Sequence, residues 1–216
     1  MVEERERGES IDAIYLDFSK AFNSVPHQHL LLKLRARGVD GKLLNWVQAF
    51  LTGRQLRVRA NSLKLEWAAV TSGVPQGPVL GPLLFVVHVN DLPRSFMIKM
   101  FTDTKIYRSV SRASGVLTLQ VDLDTLVEWS ERWQLPFNRS KCKSLQLGPR
   151  NGNHIYRMDD TQLDQTSVEK DLGIHVDQQL KFCEQAAAAI LKASHILPVF
   201  RKSFALLDES TLPLLF

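Results

Sequence analysis

The chain has 216 residues, 44% of them hydrophobic and 23% charged, and a formal net charge of +4. That length and balance fit one globular domain, or one domain with a small appendage, and exclude a disordered or low-complexity chain. No run approaches the roughly 18 apolar residues of a membrane span, and the charged opening, residues 1–8, is not a secretory signal.

In chain order, residues 1–10 read as a solvated leader. Residues 11–16 are a short apolar run of β-branched character, a buried strand with Asp17 at its end. Pro26 suits a helix first turn, and Leu30, Leu31 and Leu34 form a stripe that stops at Gly38. Leu43, Trp46, Val47, Phe50 and Leu51 keep helical spacing up to Gly53. Leu56, Val58 and Ala60 then alternate with Arg57 and Arg59. With a turn at Asn61-Ser62 and a return through Leu63, Leu65 and Trp67, this is a β-hairpin with one polar face. Residues 72–81 form a glycine- and proline-rich turn. Residues 82–91 read as a short helix.

Residues 97–101 and 106–108 flank an acidic tip as hairpin strands. Leu119, Leu123, Leu126 and Val127 mark an amphipathic helix that ends before Pro136. Leu145 and Leu147 belong to a strand, residues 155–163 to a small hairpin, residues 172–176 to a further apolar segment and residues 186–200 to a helix. Helices and antiparallel strands mix without regular βαβ alternation, so the fold class is α+β.

Cys142 and Cys183 have no CxxC spacing and point to reduced thiols in an intracellular protein, not to a zinc site. The six histidines show no ligand spacing and read as structural. Lys33, Arg35, Arg37, Lys42, Arg54, Arg57 and Arg59 all precede the glycine-rich turn, a placement that suits a phosphate-backbone surface.

Three blocks carry the chemistry. The first is Tyr15-Leu16-Asp17-Phe18-Ser19-Lys20-Ala21-Phe22. The second is Ser72-Gly73-Val74-Pro75-Gln76-Gly77-Pro78-Val79-Leu80-Gly81-Pro82-Leu83-Leu84-Phe85, followed by Asn90-Asp91-Leu92. The third is Phe101-Thr102-Asp103-Thr104. An acidic strand end, a Gly/Pro turn opening a helix and an acidic hairpin, in that order, are the arrangement of a polymerase palm. Glycines let backbone approach a ligand closely, and prolines fix the turn.

Together the blocks closely resemble the reverse transcriptase of non-LTR (LINE-type) retrotransposons, in the jockey and chicken-repeat branch. A group II intron maturase is the nearest alternative lineage. The resemblance spans roughly residues 11–207. It implies a palm of antiparallel sheet with helices on one face and partial fingers over residues 11–180, and the start of a thumb over residues 181–216. It begins late, so the finger segments that precede Asp17 in the family are expected to be missing.

The implied reaction is RNA-templated DNA synthesis on an RNA template and DNA primer, with dNTPs and two Mg²⁺ ions, in the cytoplasm or nucleus. Asp17 and Asp103 are the implied metal ligands, with the Phe18 carbonyl assisting. Phe22 matches an aromatic gate that excludes a ribose 2′-hydroxyl. Ala21 lies beside it, and Gln76 and Gly77 match positions against the incoming nucleotide. Lys141, in Trp133-Gln134-Leu135-Pro136-Phe137-Asn138-Arg139-Ser140-Lys141-Cys142, matches a lysine that protonates pyrophosphate. Each has an ordinary counterpart: a strand-ending aspartate, a core phenylalanine, a Gly/Pro turn, a surface lysine.

The chain departs from the family at three places. Asn23 stands for an aspartate and Pro78 for a serine. The third block has one residue fewer than Phe-Ala-Asp-Asp-Thr and a single aspartate. Asp103 is then either the first aspartate on a shortened turn or the second with the ligand lost. We therefore expect impaired catalysis, the alternative being a non-enzymatic fragment that binds nucleic acid or is inert. Tyr156-Arg157-Met158-Asp159-Asp160 resembles a Tyr-x-Asp-Asp box but falls after Lys141, where a turn is expected.

Overall fold

The computed structural model describes residues 8–60, 63–93, 97–100, 103–148, 151–171 and 173–203. In chain order it contains β1 (Ile11–Asp17), α1 (Ala21–Ser24), α2 (His27–Ala36), α3 (Gly41–Leu51), β2 (Gln55–Leu56), β3 (Arg59–Ala60), β4 (Leu63–Lys64) and β5 (Ala68–Ala69). There follow α4 (Leu80–Val89), β6 (Met97–Met100), β7 (Asp103–Ser109), α5 (Ala113–Arg132), β8 (Lys143–Leu147), β9 (Arg157–Met158), β10 (Thr161–Gln162) and β11 (Asp164–Thr166). The last elements are β12 (Val168–Asp171), β13 (Ile174–Asp177) and α6 (Cys183–Ser203). The chain divides into two compact units, the first ending at Thr166 and the second beginning at Ser167.

The first unit is built on a five-stranded sheet in the order β11-β8-β1-β7-β6. β1 is central, antiparallel to both β7 and β8. Ile11, Ala13, Ile14 and Leu16 are all buried, whichever face they take. A strand covered on both faces reads as a continuous apolar run instead of an alternating one. The exception is Asp12, fully buried, which accepts hydrogen bonds from Tyr156 Oη at 2.6 Å and Asn151 Nδ2 at 2.6 Å and lies 2.9 Å from His154 Nδ1. These partners tie residues 151–156 to the central strand.

α5 packs against β7, and Leu119, Leu123, Leu126 and Val127 enter the core on its apolar stripe. α2 contributes Leu30, Leu31 and Leu34, and α4 contributes Leu84, Phe85 and Val89. Lys33 joins these two helices from inside. Its ammonium donates to the His88 carbonyl at 2.5 Å and to Asp91 Oδ1 at 2.5 Å, and lies 3.6 Å from the Trp133 ring centroid. Burial lowers the Lys33 pKa, against the pull of Asp91.

α3 is helical as its spacing implies, but it buries Leu44, Val47 and Leu51, while Leu43 and Trp46 stay exposed. The expected hairpin is present, with β2 paired to β5 and β3 to β4. Leu56, Val58, Leu65 and Trp67 remain exposed on it, and Arg57 stacks on the Trp67 ring at 4.5 Å. Its turn, Asn61-Ser62, lies outside the described residues. Among the described residues no helix is long and apolar enough to cross a membrane.

In the second unit β12 and β13 pair as an antiparallel hairpin. α6 packs on β13, and the His175 N–H donates to Gln185 Oε1 at 3.0 Å. Leu172, expected in the apolar segment here, lies outside the described residues.

Candidate active site at the end of the central strand

Asp17 is the last residue of β1, and the ladder to β7 pairs it with Asp103. The pairing runs without interruption from Ile11↔Ser109 to Asp17↔Asp103. Asp103 also pairs with Met100 across the β6–β7 hairpin. It therefore opens β7, whereas the sequence pattern puts it in the acidic tip of the hairpin. Two residues, Phe101 and Thr102, join the strands, and both lie outside the described residues.

The Asp17 carboxylate is 31% exposed, and its Oδ2 lies 3.1 Å from Lys141 Nζ. The Asp17 carbonyl accepts the Asn138 N–H at 2.7 Å. Phe18 forms a bridge with Phe137, and their rings stack at 4.7 Å. That bridge is what returns the 138–142 turn to the end of β1 and brings Lys141 to Asp17. Cys142 is buried beside them, and burial pushes its thiol up to about 11, so it is an inert neighbour.

The first and second blocks are stitched together through the main chain. Val74 N–H donates to the Phe22 carbonyl at 2.7 Å, and Gly73 N–H donates to the Val25 carbonyl at 2.7 Å. Ser72 Oγ donates to the Asn23 carbonyl at 2.8 Å. Gly73 has φ +84°, and a Cβ there would lie 2.7 Å from both Asn23 Cα and the Phe22 oxygen. Gly81 is tighter still, since its Cβ would meet the Pro75 oxygen at 1.8 Å. These two glycines are required by close backbone approach.

Phe22 is half-buried and stacks on Phe85 at 4.7 Å. Ala21 is buried, while Gln76 and Gly77 are exposed at the outer end of the turn, Gly77 with φ +107°. The structure thus joins Asp17, Lys141 and the Asp103 register position at one end of the sheet. It joins Phe22 to the Gly73–Gly81 turn by hydrogen bonds. Asp159-Asp160, in the Tyr-x-Asp-Asp look-alike, is the turn between β9 and β10, with Asp159 at φ +52° and paired to Arg139.

Arg54, which the sequence pattern assigns to a basic surface, and His27, read there only as a structural histidine, both contact the turn. Arg54 donates from Nη2 to the Gly73 carbonyl at 2.5 Å and from Nε to the Leu51 carbonyl at 2.8 Å. His27 Nε2 lies 2.9 Å from the same Gly73 oxygen. The available signal was a basic residue just past a helix C-terminus, where it meets unpaired carbonyls. Among the described residues, no group of three or more His, Cys, Asp or Glu converges as a metal cluster.

Comparison with known proteins gives a consistent result. Residues 3–182 match the family model described as reverse transcriptase (RNA-dependent DNA polymerase). The chain is 29% identical over 185 residues to the probable RNA-directed DNA polymerase from transposon X-element of Drosophila melanogaster, covering 81% of this chain and 20% of that protein. It is 29% identical over 194 residues to the RNA-directed DNA polymerase from mobile element jockey of the same species, covering 84% and 21%. The probable RNA-directed DNA polymerase from transposon BS is 30% identical over 191 residues, covering 81% and 21%. The chain spans about a fifth of the length of these relatives.

Proposed function

Because the chain belongs to the reverse transcriptase family, we propose that residues 11–180 are the palm of a LINE-type RNA-directed DNA polymerase whose metal-holding carboxylate set is one short. Residues 181–216 begin its thumb. The family works with divalent metal ions, a nucleic-acid template and primer, and dNTPs. Here the partners are an RNA template and a DNA primer.

The observation that carries this reading is the register. Asp103 lies across from Asp17 at the end of an unbroken ladder. Its position as the first residue of β7 supports the case in which the tip aspartate is the missing one. Phe101 and Thr102, which join the strands, carry no carboxylate.

The residues present fit a hard cation. The Asp17 carboxylate is partly open to solvent and already draws a cation, the Lys141 ammonium. Asp17 is the residue to hold the Mg²⁺ ions, two in the intact family arrangement, with Asp103, across the ladder, the carboxylate left to assist it. When bound, the ions activate the primer 3′-hydroxyl and neutralise the triphosphate. Mg²⁺ takes carboxylate oxygens in near-octahedral geometry, so the loss of one carboxylate weakens the set.

Phe22, backed by Phe85, stands where a sugar 2′-hydroxyl would be excluded, with Ala21 beside it. Gln76 and Gly77 face the nucleotide from the turn. Lys141 holds a proton on Nζ next to Asp17 and is placed to give it to pyrophosphate.

Calorimetric titration with Mg²⁺ and Mn²⁺ tests the carboxylate argument. The unmodified chain is expected to bind weakly, and a variant with an aspartate inserted after Asp103 to bind at least several-fold more tightly. Asp17→Asn should abolish the gain. Equal affinity with and without the insertion would contradict the proposal.

A further inference from the structure

We propose that Arg54 is a positioning residue for nucleotide selection: it holds the Gly73 turn against the backbone that carries Phe22. This rests on the reading of Phe22 and the turn as the nucleotide pocket.

Arg54 sits where three pieces of chain meet. Its Nε caps the C-terminus of α3 at the Leu51 carbonyl, 2.8 Å away. Its own carbonyl accepts the Val70 N–H at 2.9 Å, at the base of the hairpin that leads into the turn. Its Nη2 donates to the Gly73 carbonyl at 2.5 Å. The planar guanidinium therefore ties the end of α3 to Gly73 in the turn, while the Arg54 main chain holds the hairpin exit. Arginine suits this because its donors diverge from a rigid plane, which a lysine cannot reproduce.

His27 closes the arrangement. Its Nε2 is 2.9 Å from the Gly73 oxygen and 3.2 Å from Arg54 Nη2. With the hydrogen on Nε2, the ring fills the second lone pair of that carbonyl; in the other tautomer it accepts from Arg54. His27 is buried at the head of α2, so in the first tautomer the oxygen is held from two sides, and in the second the ring steadies Arg54.

The consequence falls on Phe22. The peptide after Gly73 presents the Val74 N–H to the Phe22 carbonyl at 2.7 Å. Gly73 already lies so close to Phe22 and Asn23 that a Cβ would collide with their backbone. A small displacement of the Gly73 carbonyl therefore loosens the Val74–Phe22 bond, and with it the height of the Phe22 ring on Phe85. A gate that reads one hydroxyl works only if its ring is held to a fraction of an ångström, which needs support from behind.

The test compares the unmodified chain with Arg54→Gln and Arg54→Lys by amide hydrogen exchange. Losing one buried hydrogen bond should speed exchange at Val74 by about tenfold in Arg54→Gln. Amides in the centre of β1, such as Ile14, should keep their rates. Arg54→Lys should recover only part of the protection. Unchanged exchange at Val74 overturns the positioning claim. Equal acceleration at Ile14 overturns it as well, since Arg54 would then be a general stabiliser.

Nucleotide selection is read separately, from the binding of dUTP against UTP, which differ only in the 2′-hydroxyl, to the chain on an RNA–DNA template-primer with Mg²⁺. The unmodified chain is expected to prefer dUTP, and Arg54→Gln to shrink that preference several-fold. An unchanged ratio overturns the selectivity claim. Failure of the unmodified chain to bind either nucleotide overturns the pocket reading itself, and the exchange result then decides whether Arg54 positions the turn.

Discussion

Asp17 and Asp103 form the last rung of the ladder between the central strand and its hairpin neighbour. It closes a run of seven consecutive pairs that starts at Ile11↔Ser109, with no bulge between them. A one-residue slip would move every residue of β7 to the other face of the sheet, so the rung is fixed by the burial of the strands beneath it.

Directly paired antiparallel residues have Cα atoms about 4.5–5.5 Å apart, within the reach of a disulfide. In a background with Cys142→Ser and Cys183→Ser, Asp17→Cys with Asp103→Cys should therefore oxidise to an intramolecular cross-link. Asp17→Cys with Lys105→Cys should not. Mass spectrometry under mild oxidant checks both. Cross-linking of the second pair in preference to the first would contradict the register.

The turn glycines should separate by cause. Gly81→Ala drives a Cβ to within 1.8 Å of the Pro75 oxygen, and backbone cannot yield as a side-chain tip can. Its cost should be large, about 3 kcal/mol or more. Gly77→Ala meets nothing within 4 Å but keeps φ +107°, so it should cost only about 1 kcal/mol. Urea unfolding of the two variants measures the difference.

His88 makes stability fall in acid. It is fully buried between Trp129 and Trp133, and burial, reinforced by the Lys33 charge, pushes its pKa down to about 3 from 6.5. Between those values the unfolded chain binds a proton that the folded chain refuses. Stability therefore rises with pH in that window and falls as pH drops from 6.5 toward 3, by an amount on the order of a few kcal/mol. His88→Leu should flatten that part of the curve. Lys33 bonds to the His88 backbone carbonyl, so the substitution leaves that contact in place. An identical pH slope in both proteins would remove His88 as the cause.

Much of the framework was legible in the sequence. The run at residues 11–17, the stripe Leu119, Leu123, Leu126 and Val127, and the Gly/Pro turn all encode their elements locally, by period and by backbone restriction. The look-alike at Asp159-Asp160 was legible as a turn for the same reason. What escaped were relations between distant segments. Helical spacing marked α3, but both Leu43 and Leu44 satisfy it, and only the packed structure buries Leu44 and leaves Leu43 and Trp46 exposed. The hairpin pattern could not say whether Asp103 stands on the tip or opens the strand, because that depends on pairing with β1. The carboxylate of Asp12, with its donors near residue 154, and the guanidinium of Arg54 on Gly73 join residues too far apart in sequence for a periodic signal.

Primer extension on an RNA template tests the central claim most directly. The unmodified 216 residues, supplied with dNTPs and Mg²⁺, should give no measurable extension, because the proposed metal-holding set at the end of β1 is one carboxylate short. Insertion of an aspartate after Asp103 should bring extension above background, and Asp17→Ala in that variant should remove it. Robust Mg²⁺-dependent incorporation by the unmodified chain, abolished by Asp17→Ala, would contradict the account of a deficient carboxylate set while leaving the family intact.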